Sequence, residues 1–467
     1  MERAIIKSKT DEFRDSLTTV SEDGKRVWIY AKKPKGKWLT RRSIVGYTLL
    51  SFLLAAPWLK VNNHQLLLFN FIQRKFVLFG QVFWPHDFYL AVIALLSFFV
   101  FIFLFTSIYG RLWCGWACPQ TVFLELVFRK IEYWIEGDAG AQRKLNKAEW
   151  TGEKIIKKTS KHIIFYGISF IIANTFLAYI VGSQELLKII TEPVSKHLAG
   201  LAGIAIFSGV FYGVFAFFRE QVCTVVCPYG RLQSAMLDKD SLTVAYNYKR
   251  GENREKWGRN RTGTAGDCID CRQCVDVCPT GIDIRNGIQL ECVNCMACVD
   301  ACDSVMMKIN KPINLISMAS INGIENNKKF GWTPRRIGYS IVLTLLIIGF
   351  TTLVFLRSDL QATLLRTPGM TYLETPEGSI KNIYNVKVLN KTFEDLPVEL
   401  KLESTNGKIT NIGKALVAPG ENYGEGIICI EINKSQLHKA DTPLKIGVYS
   451  QGKKLQTLKT TFMAPAI

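Results

Sequence analysis

Long uncharged apolar runs alternate with charged loops along most of the chain. Five such runs cover residues 44–59, 88–108, 163–181, 198–218 and 337–356. Four of them hold about 20 residues, the length that an α-helix needs to cross the hydrocarbon core of a bilayer. The first is shorter and contains Pro57, but Trp38 and Trp58 flank it as interfacial anchors would. A single run of this kind is also compatible with a buried core helix, and the five together predict five transmembrane helices.

Basic residues are concentrated in alternate loops of this pattern. Lysine and arginine are frequent before the first run, after the second and after the fourth, and sparse after the first and third. The positive-inside rule therefore predicts that residues 1–42, 109–161 and 219–336 are cytoplasmic and that the chain from residue 357 onward is outside. The formal net charge of +19 is thus expected to orient the chain in a membrane, and no nucleic-acid partner is predicted. The first forty residues lack the apolar core of a signal peptide, so the first run is expected to be an uncleaved anchor.

The character of the sequence changes near residue 370, where short β-type runs alternate with turns. Examples are "YNVKVLNK", "EGIICIEINK" and "KLQTLKTTFM", and Asn406-Gly407 and Pro419-Gly420 mark turns between runs of this kind. About seven strands in roughly 100 residues are typical of an immunoglobulin-like sandwich. This part contains no catalytic constellation, so it is predicted to be a structural or docking module.

A dense group of cysteines lies on the side predicted to be cytoplasmic. In that reducing compartment, clustered cysteines indicate metal binding more often than disulfides. The spacing Cys-x2-Cys-x2-Cys-x3-Cys occurs twice, first at Cys268, Cys271, Cys274 and Cys278 and then at Cys292, Cys295, Cys298 and Cys302. This spacing is typical of two [4Fe-4S] clusters in a ferredoxin-like domain.

The fourth cysteine of each run is expected to bind the cluster held by the other run. Cluster 1 would then take Cys268, Cys271, Cys274 and Cys302, and cluster 2 would take Cys292, Cys295, Cys298 and Cys278. Pro279 follows Cys278, whereas Asp303 follows Cys302, a minor departure because the proline only shapes the chain after the ligand. Zinc is the alternative, but zinc sites give no reason for two copies of the same four-cysteine spacing.

A second repeat follows the second and fourth apolar runs, where "GRLWCGWACPQTVF" and "REQVCTVVCPYGRLQ" share Cys-x3-Cys-Pro. The four cysteines are Cys114, Cys118, Cys223 and Cys227. Because residues i and i+4 share one helix face, two such pairs from duplicated helical hairpins are expected to bring four thiolates together at the membrane surface. Four soft sulfurs suit Cu(I), zinc or another iron–sulfur cluster. Membrane cysteines also serve as small apolar fillers, an alternative that the duplication disfavours.

Pro119 and Pro228, the prolines of this repeat, lead to two structural predictions. A proline disfavours helical conformation at the residue before it, here Cys118 and Cys227. It also suits the first position of a new helix. The segment 119–135 has the apolar spacing of a helix that lies on the membrane.

The remaining candidates are weaker. Cys429 lies in the C-terminal segment without a partner cysteine in its compartment, so a packing role is predicted. His64 and His86 lie in the aromatic-rich loop between the first two runs, which is expected to form a hairpin; a metal-handling role for them is the less favoured hypothesis. No paired intramembrane histidines and no Cys-x-x-Cys-His occur, so no haem is predicted. No GxxxxGK[ST] or GxGxxG occurs, so neither ATP nor NAD is predicted.

The sequence therefore predicts a multi-domain membrane protein with three kinds of structure. They are an α-helical transmembrane bundle of five spans with two duplicated hairpins, an inserted cytoplasmic 2[4Fe-4S] ferredoxin-like α+β domain, and a C-terminal immunoglobulin-like β-sandwich. The predicted boundaries are a cytoplasmic segment 1–42, a four-helix region 43–218, a cytoplasmic segment 219–336 with the ferredoxin domain at about 258–310, a fifth helix 337–356 and a periplasmic domain 357–467.

The chain resembles the FixG/CcoG/RdxA family of bacterial cytochrome oxidase accessory proteins over nearly its full length. The stretches that carry the resemblance are "GRLWCGWACPQTVF", "REQVCTVVCPYGRLQSAM", "DCIDCRQCVDVCPTGIDIRNG" and "ECVNCMACVDACD". The resemblance implies a bacterial inner-membrane protein that assists assembly of the cbb3-type oxidase by reducing Cu(II) to Cu(I). Copper would then be the substrate of a metal-ion oxidoreductase. Copper-delivery proteins and oxidase subunits would be its partners, an electron donor remains to be identified, and a homodimer is left open.

Two other functions remain open from the residues. One is a membrane quinol–ferredoxin electron-transfer subunit, against which the fifth span and the outer domain argue. The other is a copper-binding assembly scaffold whose clusters do not turn over. In that case, redox-dead ligand variants that still fold should still support oxidase assembly.

Overall fold

Two compact units make up the structure. The computed structural model describes residues 18–21, 23, 25–61, 64–71, 74–258, 261, 263–327, 331–369, 371–376, 378–437 and 439–465. Unit 1 comprises Met1–Lys60 and Ala94–Ile347, and unit 2 comprises Val61–Ile93 and Ile348–Ile467. The first 17 residues of the predicted segment 1–42 lie outside the described residues.

Helices dominate unit 1. The α-helices are α1 (Lys37–Ala55), α2 (Phe88–Tyr109), α3 (Leu112–Trp116), α4 (Pro119–Phe123), α5 (Arg129–Ile135), α6 (Ala139–Lys147), α7 (Gly152–Ile180), α8 (Ser183–Thr191), α9 (Leu198–Gly213), α10 (Pro228–Met236), α11 (Tyr248–Gly251), α12 (Gln273–Asp276), α13 (Ala297–Lys308), α14 (Ile321–Asn326) and α15 (Pro334–Phe355). Wider π-helical turns cover Leu124–Phe128, Val214–Phe218 and Val222–Val226. Short 3₁₀ turns occur at Pro85–Asp87, Val194–Lys196, Ile284–Asn286 and Lys434–Gln436.

Four helices in the described part of the chain are long and apolar enough to cross a membrane. They are Pro85–Tyr109, Gly152–Ile180, Leu198–Phe218 and Pro334–Phe355, and they coincide with the second to fifth predicted spans. The first predicted span, 44–59, overlaps α1, but that helix ends at Ala55 and carries Lys37, Arg41 and Arg42 in its first two turns. Its apolar stretch is correspondingly short, and a fifth crossing stays a prediction.

A pair of antiparallel strands frames the cysteine-rich segment of unit 1. Strand β6 (Thr243–Tyr246) pairs with β7 (Ile316–Ala319), with Thr243 opposite Ala319. The two strands lie on either side of the predicted ferredoxin segment at about 258–310, and α12 and α13 lie between them in the chain. Apolar side chains of these elements, including Val244, Ile284, Val299 and Ile316, form one buried cluster with Cys268, Cys274 and Cys302. The segment is thus the predicted α+β arrangement.

Unit 2 is built from antiparallel strands. Near its start lie β1 (Lys60–Val61), β2 (His64–Gln65), β3 (Leu67–Asn70), β4 (Lys75–Leu78) and β5 (Gln81–Phe83). Strands β3, β4 and β5 form an antiparallel meander. The predicted hairpin between the first two apolar runs is therefore confirmed, with one additional strand. The C-terminal strands are β8 (Leu360–Arg366), β9 (Leu373–Glu374), β10 (Ser379–Asn390), β11 (Leu396–Pro397), β12 (Glu399–Leu402), β13 (Gly407–Ile412), β14 (Val417–Ala418), β15 (Tyr423–Asn433), β16 (Asp441–Ser450) and β17 (Lys453–Met463).

Two C-terminal sheets share one apolar core. One has the order β13-β15-β10-β8 with β9 paired to β10, and the other has the order β12-β16-β17. Along β10 the buried residues alternate, as expected for a strand with one face inward. Tyr384, Ile430, Ile446 and Phe462 are among the fully buried residues of the core. The predicted sandwich is therefore confirmed, and β8 is a strand that the sequence pattern did not predict.

A buried ion cluster ties the first part of unit 2 to its sandwich. The Asp87 carboxylate lies 2.6 Å from Lys391 Nζ and 2.9 Å from the Arg357 guanidinium, and only 3% of Asp87 is exposed. His64 stacks on Phe393 with ring centroids 3.9 Å apart. His64 thus has a packing contact, His86 is exposed, and no described group of three His, Cys, Asp or Glu residues is placed to hold a metal ion.

We expect Asp87→Asn to destabilise this junction strongly, because it leaves two cations buried without their counter-charge. Breaking a buried ion pair in this way costs about 3–5 kcal/mol. The matched control is Glu425→Gln, which breaks an exposed pair with Lys387 and should leave the stability almost unchanged, because solvent screens exposed ion pairs. Amide hydrogen exchange of the full-length protein measures both, and exchange near residues 67–83 and 389–391 should accelerate only in Asp87→Asn. Equal exchange in the two variants would contradict the stabilising role of Asp87 in this junction.

Candidate functional site

The eight clustered cysteines line two neighbouring cavities, each of about 340 Å³. The first cavity is lined by Cys268, Cys271, Cys274 and Cys302, together with apolar residues such as Met306 and Ile316. The second is lined by Cys278, Cys292, Cys295 and Cys298, and Cys274 also borders it. The fourth cysteine of each run therefore lies with the first three of the other run. This is the grouping that the spacing predicts, and soft thiolates in a mostly apolar cavity suit an iron–sulfur cluster.

The backbone around the two cavities repeats at an interval of 24 residues. Asp270 and Arg272 in the first run have positive φ, as do Asn294 and Met296 at the equivalent positions of the second. Left-handed backbone is costly for residues other than glycine. Its occurrence at matching positions of both runs shows that the two loops share one backbone conformation. Each loop leads into a helix, α12 or α13, directly after the last of these residues.

Burial favours the protonated form of several of these thiols. It raises the pKa of Cys274, Cys292 and Cys302 to about 12 and that of Cys295 to about 11. The charges of Cys274, Asp303, Cys271 and Cys268 raise the pKa of Cys302 further, which again groups it with the first run. A metal must supply the positive charge that makes these groups thiolates.

The duplicated Cys-x3-Cys-Pro motifs adopt the same local structure. Cys118 and Cys227 are extended residues that cap helices α4 and α10, and the following proline occupies the first turn of each helix. Both predicted effects of the proline are thus present together. The prediction that each cysteine pair shares one helix face is wrong, because the helical turns that carry Cys114 and Cys223 end before Cys118 and Cys227. Residues 119–135 are helical throughout, as predicted, with a π-helical turn in the middle.

The four cysteines of these motifs, termed here the thiol quartet, are near enough for their charges to act on one another, although no three described His, Cys, Asp or Glu side chains are placed to hold a metal ion. Burial raises the pKa of Cys114 and Cys118, and that of Cys223 to about 12. Charge on neighbouring members adds to this effect: Cys118 and Cys227 act on Cys114, and Cys118 and Cys114 act on Cys223. The two motifs thus lie in one region of the structure, and the prediction that their four thiolates form one site stays a prediction.

Two polar side chains that the sequence analysis did not single out lie at the quartet. The Arg111 guanidinium lowers the pKa of Cys114 and Cys223, in opposition to burial. Its Nε donates to Gln233 Oε1 at 2.9 Å, and the same oxygen lies 3.4 Å from Cys114 Sγ. The sequence contains a repeat that marks both positions. Arg111 lies in a Gly-Arg-Leu just before Cys114, and Gln233 directly follows a second Gly-Arg-Leu just after Cys227.

The quartet directly adjoins residues 290–298, termed here the second cysteine loop. Cys114 packs against Val293, Cys295 and Cys298 in one buried cluster. Gly115 allows this approach, because a Cβ atom there would lie 2.2 Å from the Val293 carbonyl oxygen. Only glycine fits such a backbone contact.

Hydrogen bonds fasten the same contact from several sides. Trp116 Nε1 donates to the Asn294 carbonyl oxygen at 3.2 Å, and Arg111 donates to the Leu290 carbonyl oxygen. Arg42 Nε donates to the Gly115 carbonyl oxygen at 2.6 Å. The second cavity and the quartet are thus neighbours through well-packed protein.

Two iron–sulfur family models match the chain. A 4Fe-4S dicluster domain matches residues 218–321, which contain Cys223, Cys227 and all eight clustered cysteines. A 4Fe-4S binding domain matches residues 91–140, which contain Cys114 and Cys118. The third family model that matches, the Ig-like fold at the C-terminus of FixG, covers residues 350–465.

Curated relatives cover most of the chain. Protein RdxA of Cereibacter sphaeroides is 36% identical over 82% of this chain and 83% of its own. Protein RdxB of the same organism is 36% identical over 83% of this chain and 84% of its own. Nitrogen fixation protein FixG of Rhizobium meliloti is 30% identical over 91% of this chain and 86% of its own.

A solved structure is also similar in part. The crystal structure of a FixG-related protein from Vibrio parahaemolyticus matches 23% of this chain and 99% of its own, with 16% identity and a TM-score of 0.21. Identity over nearly full length, the Ig-like C-terminal match and the iron–sulfur matches agree with the cysteine cavities and apolar helices described above. The chain belongs to the FixG/RdxA family of membrane iron–sulfur electron-transfer proteins.

Proposed function

We propose that this protein is a membrane-bound cupric reductase that assists assembly of the copper centre of a cbb3-type cytochrome oxidase. The observation that carries the proposal is the direct contact between the thiol quartet and the second cysteine loop. A site of four soft sulfurs beside an electron source is what reduction of Cu(II) to Cu(I) requires, because thiolates stabilise Cu(I). Each copper ion takes one electron.

In this proposal the two cavities hold [4Fe-4S] clusters. Cluster 1 is bound by Cys268, Cys271, Cys274 and Cys302, and cluster 2 by Cys278, Cys292, Cys295 and Cys298. When bound, they supply single electrons. The chain's own residues hold the ligands in the left-handed turns and exclude water from the cavities. Arg111 offsets part of the negative charge that thiolates of the quartet develop as they bind the substrate copper ion.

The proposal includes a membrane arrangement. The protein would lie in the bacterial inner membrane, with α1 as a fifth crossing, the cysteine cavities in the cytoplasm and the Ig-like domain in the periplasm. The distribution of basic loops supports this orientation. Oxidase subunits and copper-delivery proteins would be the partners, as the family resemblance implies.

The quartet has a second candidate role as the ligand set of a third iron–sulfur cluster. The observation that favours it is the match of a 4Fe-4S binding domain to residues 91–140, which include Cys114 and Cys118. The iron content separates the two roles. A copper site predicts about eight iron atoms per chain, four for each of two [4Fe-4S] clusters, and a third cluster predicts about twelve.

The quartet is tested by anaerobic reduction of Cu(II) with the purified, pre-reduced protein, with Cu(I) trapped by a chelator. We expect Cys114→Ser and Cys223→Ser to slow copper reduction by more than the ~10–100-fold typical of losing a hydrogen-bond partner of a metal ligand, because each removes a direct ligand. Cys429→Ser, a cysteine far along the chain in the Ig-like domain, is the matched control. Iron content should stay near eight in all variants. Unchanged copper reduction in the quartet variants would refute the role, and a loss of about four iron atoms would favour the third cluster.

The ligand grouping is tested by single substitutions in the two runs. Cys302→Ser should alter the same electron paramagnetic resonance signal as Cys268→Ser, because both belong to the first cavity. Cys278→Ser should alter the signal that Cys292→Ser alters. If Cys302→Ser and Cys292→Ser affect one signal instead, the crossed assignment is wrong.

The contact at Gly115 is tested by Gly115→Ala. The added methyl group collides with the Val293 backbone, so the second cysteine loop must move away at a cost of about 1–3 kcal/mol. We expect slower electron transfer from the reduced clusters to copper, with iron content unchanged, as measured by stopped-flow absorbance. Gly203→Ala is the control, because a Cβ there meets no atom within 4 Å. Equal rates in both variants would show that the contact is irrelevant to transfer.

A further inference from the structure

Among the described residues that line the first cysteine cavity, Tyr246 alone carries a hydroxyl group. Tyr246 is the last residue of β6, and only 4% of it is exposed. In the described part of the chain, its buried hydroxyl oxygen has no hydrogen-bond partner at acceptable geometry. A buried hydroxyl group without a partner is costly, and a phenylalanine would avoid that cost. Packing of the ring therefore does not explain why the hydroxyl group is there.

Strand β6 passes along both cavities. Successive side chains of a strand point to opposite faces, so Val244 and Tyr246 share one face. Val244 lines the second cavity and Tyr246 lines the first. The register of β6 with β7 places Tyr246 opposite Ile316, which also lines the first cavity. The strand thus brings an apolar side chain to one cavity and a phenol to the other.

The backbone around Gly251 holds this hydroxyl group beside Cys268. A Cβ atom at Gly251 would lie 2.1 Å from Tyr246 Oη, so the end of α11 packs directly on this oxygen. The Gly251 carbonyl oxygen also accepts from the Cys268 backbone N–H at 3.4 Å. Burial raises the pKa of Tyr246, and the charge of Cys268 adds to this effect. The phenol is therefore near enough to Cys268 for the two groups to act on each other.

The first cavity also carries positive charge, which is separate from the hydroxyl group. Arg272 and Arg285 both line it. The Arg285 guanidinium lies 2.6 Å from the Asp283 carboxylate and 2.5 Å from that of Asp270. Because these charged groups stay in place when a hydroxyl group is removed, Tyr246→Phe isolates the effect of the hydroxyl group.

The second cavity has a hydroxyl group of its own, at Thr280. Thr280 Oγ1 lies 3.4 Å from Cys278 Sγ, and Thr280 is the one residue with a hydroxyl group among the described residues of this lining. The two hydroxyl groups belong to different cavities, so each can be removed while the other stays. This provides an internal comparison between the cavities.

We propose that the Tyr246 hydroxyl group donates a hydrogen bond to the Cys268 sulfur of cluster 1 and raises the reduction potential of that cluster. The inference rests on the proposed function for the assignment of cluster 1 to the first cavity. Reduction of a [4Fe-4S] cluster adds a single electron, which increases the negative charge on the sulfurs and breaks no bond. A donor at a sulfur stabilises this charge, and hydrogen bonds to the sulfurs help to set the potential of such a cluster. Tyr246 thus makes cluster 1 easier to reduce.

The test is an anaerobic redox titration of the full-length protein, followed by electron paramagnetic resonance. The signal of cluster 1 is the one that Cys268→Ser alters. Tyr246→Phe should lower the equilibrium constant for reduction of cluster 1 about tenfold, through loss of one hydrogen bond. For a one-electron couple this lowers the midpoint potential by about 59 mV. The midpoint of cluster 2 and the iron content should not change.

Two variants are matched controls. Tyr248→Phe removes the hydroxyl group of an exposed tyrosine two residues further along, which is hydrogen-bonded to Glu325, and it should move neither midpoint. Thr280→Val removes the hydroxyl group of the other cavity and should move only the midpoint of cluster 2. An unchanged midpoint of cluster 1 in Tyr246→Phe, with the iron content intact, would overturn the inference, and so would an equal shift of both clusters.

A second measurement applies even if Tyr246→Phe loses iron. Biosynthetic incorporation of fluorotyrosine makes each phenol hydroxyl group a stronger donor and removes none. It should raise the midpoint of cluster 1 and leave that of cluster 2 in place, and a midpoint of cluster 1 that does not rise would refute the role of Tyr246 alone. If Cys268→Ser and Cys302→Ser alter no common signal, the assignment of cluster 1 is wrong, and the proposed function fails together with this inference.

Discussion

The close approach of two backbones, at Gly115 and at Val293, fixes the position of the thiol quartet relative to the second cysteine loop. A side-chain contact could relax by changing rotamers, whereas a backbone contact at this distance moves only if a whole loop moves. The contact is surrounded by hydrogen bonds from Arg42, Arg111 and Trp116. Helix α1 adds a further tie, because its first backbone N–H groups at Trp38 and Leu39 donate to the Asp300 carboxylate of α13. The distance between two redox-capable sites is thus set by the fold itself.

A second constraint is the pairing of charges beneath the membrane helices. Burial alone would raise the pKa of Glu132, but Arg219, Lys161 and Arg129 outweigh it, so the pKa lies below its usual value. Arg129 in turn lies 2.8 Å from Glu125 on the preceding turn. Removing a single member would leave a buried charge without its partner, which costs more than the pair contributes. A chain of net charge +19 can therefore bury several charged residues between its helices, because each of them lies beside a group of opposite charge.

Much of this arrangement follows from local sequence patterns. Three of these patterns depend only on neighbours in the chain: spans of about 20 apolar residues, the x2-x2-x3 cysteine spacing and β-type alternation. The structure contains the apolar helices, the cysteine-lined cavities and the strands that these patterns predict. The crossed grouping of Cys278 and Cys302 was also predictable, because a short loop cannot turn its fourth cysteine back to the same cavity. The shared local structure of the two Cys-x3-Cys-Pro motifs was predictable only from their duplication.

Other features depend on contacts between distant segments, which no local pattern encodes. Glycine is required at position 115 because the Val293 carbonyl group, almost 180 residues later in the chain, leaves no room for a side chain. Asp87 is likewise buried by Lys391, 304 residues away. The prediction that Cys114 and Cys118 share one helix face was wrong because the helix Leu112–Trp116 ends before Cys118. Pro119 favours an extended conformation at the residue before it, and Cys118 is extended.

Burial of the thiols also affects how a metal binds to them. At neutral pH a thiol with a pKa near 12 is protonated, so without a metal Cys274, Cys292 and Cys302 are neutral groups that cost little to bury. Metal binding then releases the protons and strengthens a contact that already exists. At the quartet, Arg111 reduces the cost of forming thiolates at Cys114 and Cys223 in particular. These two cysteines belong to different Cys-x3-Cys-Pro motifs, so one guanidinium acts on both halves of the repeat.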